Sequence, residues 1–195
     1  MKYYALEYFR GDDKAIVDAK VVYLPPKDEY YDLADSLFEK KDSLKFTVLP
    51  PLKKLREDFF RVTSGEFFGV KRLSDVVKRF QEDVQLISAA GEYSNGEFIG
   101  DEYFLIHPGK RVLAFDYDES AYSGKAMILS EREGGKPARL VKGITNIVLN
   151  RGMIGDNNYF FLGNVIYYHP IVSESLLEEL LGNKFNLSYT LIEVA

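Results

Sequence analysis

The chain has 195 residues, of which 46% are hydrophobic and 28% charged, the balance of a folded globular protein and not of a disordered one. It carries a net charge of −5 and contains no cysteine, so disulfides, thiolate nucleophiles and zinc–thiolate centres are excluded, and an acidic surface disfavours nucleic acid. The 14 Tyr and 14 Phe, with no Trp, lean the composition towards strands, whose pleated surfaces suit aromatic rings.

A prior of roughly 150 residues per domain makes 1–195 a single domain, with 1–57 as a less regular N-terminal part. The opening MKYYALEYFRGDD lacks the apolar stretch of a secretory signal, and no apolar run approaches the roughly 18 residues that suggest a membrane span. The expected location is the cytoplasm.

In chain order, Lys2–Tyr8 and Ala15–Leu24 read as strands, the second stopped by Pro25 and Pro26. Asp28 offers a helix cap, and Leu33, Ala34, Leu37 and Phe38 then fall on one helical face that ends at Lys40 and Lys41. Short apolar runs follow at Phe46–Leu49 and Asp58–Val62, and a strand at Phe67–Val70. Leu73, Val76, Val77 and Phe80 recur at i, i+3, i+4 and i+7, which predicts an amphipathic helix with this stripe against a sheet.

Val84–Ala89 reads as a strand and 91–100 as a turn-rich connection. Tyr103–His107 and Arg111–Asp116 flank the turn residues Pro108, Gly109 and Lys110, which predicts a hairpin. After the polar stretch 116–124, Ala126–Leu129 is a short strand, 131–137 a loop, and Ala138–Leu149 a strand with Gly143 inside it. A second hairpin is expected where Gly163-Asn164 separates Tyr159–Leu162 from Val165–Tyr168. Ser173 caps a helix with the stripe Leu176, Leu177, Leu180 and Leu181, with Gly182 placed as its C′ residue, and Leu187–Val194 is the closing strand. Strands and helices mix without a βαβ rhythm. The expected class is α+β, with mostly antiparallel sheets and about three amphipathic helices.

The search for chemistry is mostly negative. His107 and His169 are the only histidines, each followed by Pro, and no spacing makes them metal ligands with Asp116 or Asp118. Either one serves as a general base in an enzymatic reading, but no nucleophile elbow accompanies it. Asp116-Tyr117-Asp118-Glu119-Ser120 lacks the later Gly and closing Glu of a calcium loop. It reads as a solvated acidic turn, secondly as a partner contact, and thirdly as an acid–base pair of Asp116 with Asp118. No phosphate-binding glycine motif occurs; Gly134-Gly135-Lys136 is a loop, and Lys53, Lys54 and Arg56 are a solvated basic patch. No metal, cofactor or catalytic residue is assigned. Asp101, Glu102, Asp116, Asp118 and Glu119 flank the predicted hairpin, whose ends would gather them into one acidic patch for a basic partner.

The order of segments also resembles a family. Asp58-Phe59-Phe60 meets a Thr63-Ser64-Gly65 turn, then a strand and helix over Val70–Phe80. Asp116-Tyr117-Asp118 with Ser120 and Tyr122 follows, then a Phe-Phe-Leu hairpin, the Ser-capped helix Val172–Leu181, and Phe185–Val194. From residue 58 onwards this pattern resembles a bacterial family first catalogued as a domain of unknown function and later as immunity proteins of polymorphic toxin systems. The resemblance implies a cytosolic antidote that binds and blocks a cognate toxin delivered by neighbouring cells, with no catalytic residues to carry over. The stretch 123–137 is longer here than the family pattern. The alternatives are an interaction or regulatory protein unrelated to toxins, and an enzyme using His107 or His169.

Overall fold

The computed structural model describes residues 1–7, 16–27, 38–108, 111–123, 127–129, 138–141, 143–163 and 165–195. The predicted helix from Asp28 lies largely outside these residues, as do the loop 131–137, the glycines of 134–135, and the turn residues Gly109, Lys110 and Asn164.

The fold is mixed and rich in sheet. A six-stranded sheet contains β2 (Ala19–Leu24), β3 (Ser43–Val48), β4 (Phe59–Arg61), β5 (Phe67–Val70), β6 (Gln85–Tyr93) and β7 (Tyr103–His107), in the order β2-β3-β6-β7-β5-β4. A five-stranded sheet joins β1 (Tyr3–Glu7) to β12 (Val148–Leu149), β13 (Tyr159–Phe160), β14 (Ile171–Ser173) and β15 (Ser188–Val194), in the order β12-β15-β1-β14-β13. Two small ribbons pair β8 (Ala121–Tyr122) with β11 (Ile144–Asn146), and β9 (Met127–Leu129) with β10 (Ala138–Leu140). Among the described residues every strand pairing is antiparallel except β3–β6 and β12–β15. The helices are α1 (Lys71–Phe80), α2 (Arg151–Ile154) and α3 (Glu174–Gly182).

Alternation explains how the sheets are covered. In β3, Leu44, Phe46 and Val48 point into a core while the residues between them are half-buried. That core holds a ring cluster of Phe46, Phe60, Phe68 and Tyr103, with centroids 5.0–5.8 Å apart, on one face of the six-stranded sheet. Gly91 lies beneath it; a Cβ there would come within 2.5 Å of the Phe46 ring, so only Gly fits.

The helices share a second core. Leu73, Val76 and Val77 of α1, and Leu176, Leu177 and Leu180 of α3, pack with Phe59, Phe67 and Ile106 from one sheet and Leu6 and Val172 from the other. Phe80 ends its helix half-buried and Leu181 is exposed. The Ser173 hydroxyl accepts from the Leu176 amide as expected of an N-cap, and it donates to Asn158 Oδ1 at 2.7 Å. The remaining face of the five-stranded sheet is covered by a third core, including Val112, Phe115, Leu149, Leu162 and Val165.

Four local expectations are corrected. Tyr103–His107 forms no hairpin with Arg111–Asp116: β7 is central, with β6 and β5 on its two edges, so no edge remains. Val112 bridges Leu162 and Phe115 bridges Leu149 instead. Tyr159–Phe160 pairs with β14 and not with 165–168, because Leu162 and Val165 are drawn to Val112 and Val141. Ala138–Leu149 is three strands, interrupted at Gly143, which has φ +64°. Gly182 is the last helical residue; Asn183 is the C-cap and Lys184 takes the positive φ of 61°. β6 also runs further than expected, to Tyr93, and α2 arises from a cap by Asn150, whose side chain accepts from the Gly152 amide.

The ion pairs set an acid limit. A hydrogen bond from Lys27, 2.9 Å away, holds Asp42 below the ordinary carboxylate range although burial opposes it, and the Glu39 amide adds a second. Hydrogen bonds from Lys45 to Glu92 and from Lys2 to Glu174 lower those carboxylates in the same way. Depressed folded-state values contribute stability that is complete above the unfolded values near about 4 and lost as pH falls through the folded ones. The thermal midpoint is therefore expected to fall once pH drops below about 4, and to fall less steeply in Asp42→Asn. Midpoints measured across this range check it; identical slopes for the two proteins would remove Asp42 as a contributor.

Candidate functional site

The five carboxylates singled out above fall into two groups on different elements. Asp101 and Glu102 are exposed just before β7, and the Glu102 carbonyl accepts from the Lys71 amide at 2.8 Å, joining the start of α1 to the sheet. Asp116, Asp118 and Glu119 lie in a turn against β12. Without the hairpin, nothing in the strand pairing gathers the two groups into one patch.

Within the turn the carboxylates have different jobs. Asp116 Oδ1 accepts from the amides of Asp118 (3.0 Å) and Glu119 (3.2 Å), and its carbonyl accepts from the Ser120 amide. This is the local pattern that Asp adopts to hold a turn by its own backbone. The Asp116 amide donates to the Val148 carbonyl, and the Ser120 hydroxyl accepts from the Val148 amide at 2.9 Å. Asp116 thus builds the turn, while Asp118 and Glu119 are exposed on it.

The two histidines occupy separate surroundings. His107 is fully buried with its ring edge-on to Phe38 at 4.9 Å. His169 places Nδ1 3.2 Å from the Leu6 carbonyl, with its ring 5.3 Å from Tyr167. Burial, aided by Glu7, pushes the Tyr167 phenol up to about 12. Among the described residues no group of three or more His, Asp and Glu side chains is arranged around a metal position, and no helix is long and apolar enough to cross a membrane.

An open groove of about 160 Å³ lies between the segment that leads into β12 and the middle of β15. β12 meets β15 only at Glu193 and Val194, and Ile144–Ile147, Tyr167 and Thr190–Ile192 line the groove. Leu191 of its lining and Tyr189, next to the lining in sequence, are exposed.

The apolar run Asp58–Val62 conceals a charge that sequence reasoning missed. Arg61 of β4, paired with Phe67, is only 6% exposed. Its guanidinium carbon sits 4.4 Å from the Tyr168 ring centroid and 6.0 Å from that of Phe67. Its Nε is buried without a hydrogen-bond partner, and among the described residues no carboxylate forms an ion pair with it. Glu66, close in sequence and also buried, instead accepts from the hydroxyls of Tyr23 (2.8 Å) and Ser64 (2.6 Å). Burying an ion costs several kcal/mol, whereas a desolvated cation–π contact returns about 2 kcal/mol. The signal available in the sequence was one Arg, fourth in DFFRV, set between the apolar Phe60 and Val62.

No family model matches the chain, and no curated protein matches it.

Proposed function

We propose that the protein is a cytoplasmic immunity protein that binds a cognate bacterial toxin and neutralises it, without a cofactor and without catalysis of its own. The segment order from Asp58 to Val194 gives the idea its specificity. The observation that carries the binding face is the turn 116–120, which Asp116 and Ser120 hold against β12 so that Asp118 and Glu119 stand exposed on a fixed backbone. A fixed acidic turn on a chain of net charge −5 suits a basic protein partner, by complementarity and by faster encounter. Exposed Leu191 in the groove and Tyr189 next to it in sequence offer the apolar contact area that such an interface also needs.

The test uses the product of the gene immediately upstream, which this reading expects to encode the toxin. Co-expression of the chain is expected to rescue cells from that toxin. Asp118→Lys with Glu119→Lys, leaving Asp116 in place, is expected to slow association about tenfold at low salt, with the difference shrinking at high salt. Asp101→Lys with Glu102→Lys, on the other sheet, serves as the comparison. Equal low-salt association rates for the wild type and the Asp118/Glu119 variant would take this turn out of the interface. Absence of both rescue and binding would leave the reading as an interaction protein unrelated to toxins.

A further inference from the structure

We propose that Arg61, with Tyr168 over its guanidinium, is a receptor for an oxyanion, a carboxylate or phosphate group that pairs with the buried Nε–H edge. The inference is independent of the toxin reading, since it concerns a different strand and a charge of the opposite sign. A guanidinium offers Nε–H and an adjacent Nη–H as a fork that matches two oxygens of such a group. Here that edge begins at an Nε that is buried and unpartnered, and Phe67 and Tyr168 supply rings to the cation without supplying a counter-charge. The only carboxylate close to it in sequence that is also buried, Glu66, is engaged by Tyr23 and Ser64. An incoming anion therefore gains an ion pair whose protein half is already desolvated and held.

Access is also provided for. The outer edge of β4 is closed at this point by Val17, whose amide donates to the Arg61 carbonyl at 2.9 Å, so the way in is past Tyr168, which covers the guanidinium, is itself 41% exposed and lies in 166–170, a segment that forms no strand. The overall negative charge works against long-range attraction of anions. Affinity for a free anion should consequently be weak, with Kd about 1 mM, and should come from the two short hydrogen bonds.

The experiment titrates the intact protein with sodium phosphate and, separately, sodium acetate, against sodium chloride at matched ionic strength. The reporters are the Arg61 Nε–Hε resonance and the thermal midpoint. A saturable shift of that resonance and a raised midpoint are expected with at least one of the two oxyanions, both effects being lost in Arg61→Met and in Arg61→Lys, which keeps the charge without the fork. Response to acetate alone would assign a carboxylate, and to phosphate alone a phosphate group. An Nε–Hε resonance unmoved by either anion in the wild type would overturn the proposal, and this holds even where a variant fails to fold. Equal midpoint gains in the wild type and Arg61→Met would overturn it too.

Discussion

Phe46→Ala is expected to lower the unfolding free energy by about 3–5 kcal/mol. The ring is 0% exposed and touches Phe60, Phe68 and Tyr103, so its removal strips three aromatic contacts as well as buried area. Relaxation around the gap is restricted. Gly91 beneath the ring has no side chain to advance, and β3 is hydrogen-bonded on both edges, to β2 and β6. The cost should sit at the upper end of the range because a site that cannot collapse keeps its cavity. Total stabilities of about 5–15 kcal/mol make this a large fraction. Phe98→Ala is the comparison: that ring is 76% exposed, and its loss should stay within about 0.5 kcal/mol. Urea unfolding with an unchanged slope measures both. A loss below about 1 kcal/mol in Phe46→Ala would show that the cluster does not carry this core.

Elements governed by their own residues were legible in advance. The i, i+3, i+4 spacing of Leu73, Val76 and Val77 and the cap at Ser173 place α1 and α3, and partial alternation places β1 and β15. Pairing was not legible, because it depends on which edges are vacant. Pro108 and its neighbours signal a turn, yet a turn cannot reveal that both edges of β7 are taken by β5 and β6. A left-handed residue was likewise misplaced: the last turn of α3 runs through Gly182, and Lys184 bears the positive φ. At the acidic turn the residue types were noticed and their division of labour was not, although Asp two residues before a second Asp is a spacing at which a carboxylate reaches its own backbone. Arg61 was hidden for the opposite reason. In a run of apolar residues a lone charge reads as the solvent-facing exception, whereas here both faces of β4 are covered.

Arg61→Met is expected to stabilise the fold by about 1–4 kcal/mol in a buffer poor in oxyanions, the range found when buried ionic groups give way to apolar side chains of similar volume. A buried cation with an unpartnered Nε carries a desolvation cost that Tyr168 and Phe67 only partly offset. Met retains an unbranched stem and a polarizable sulfur that packs against aromatic rings, so the contact with Tyr168 is replaced while the charge is removed. Arg61→Ala separates the two contributions. It removes the charge as well, but it also removes the stem that fills the space between the rings, and the resulting void should cancel the gain or reverse its sign. Phosphate or acetate should narrow the gap between the wild type and Arg61→Met, because an anion that binds only the folded, arginine-bearing protein raises its stability by mass action. Chemical denaturation of the three proteins, with and without each anion, reads these differences directly. A loss of stability in Arg61→Met as large as that in Arg61→Ala would mean that the guanidinium is already compensated within the fold, and that its burial is structural.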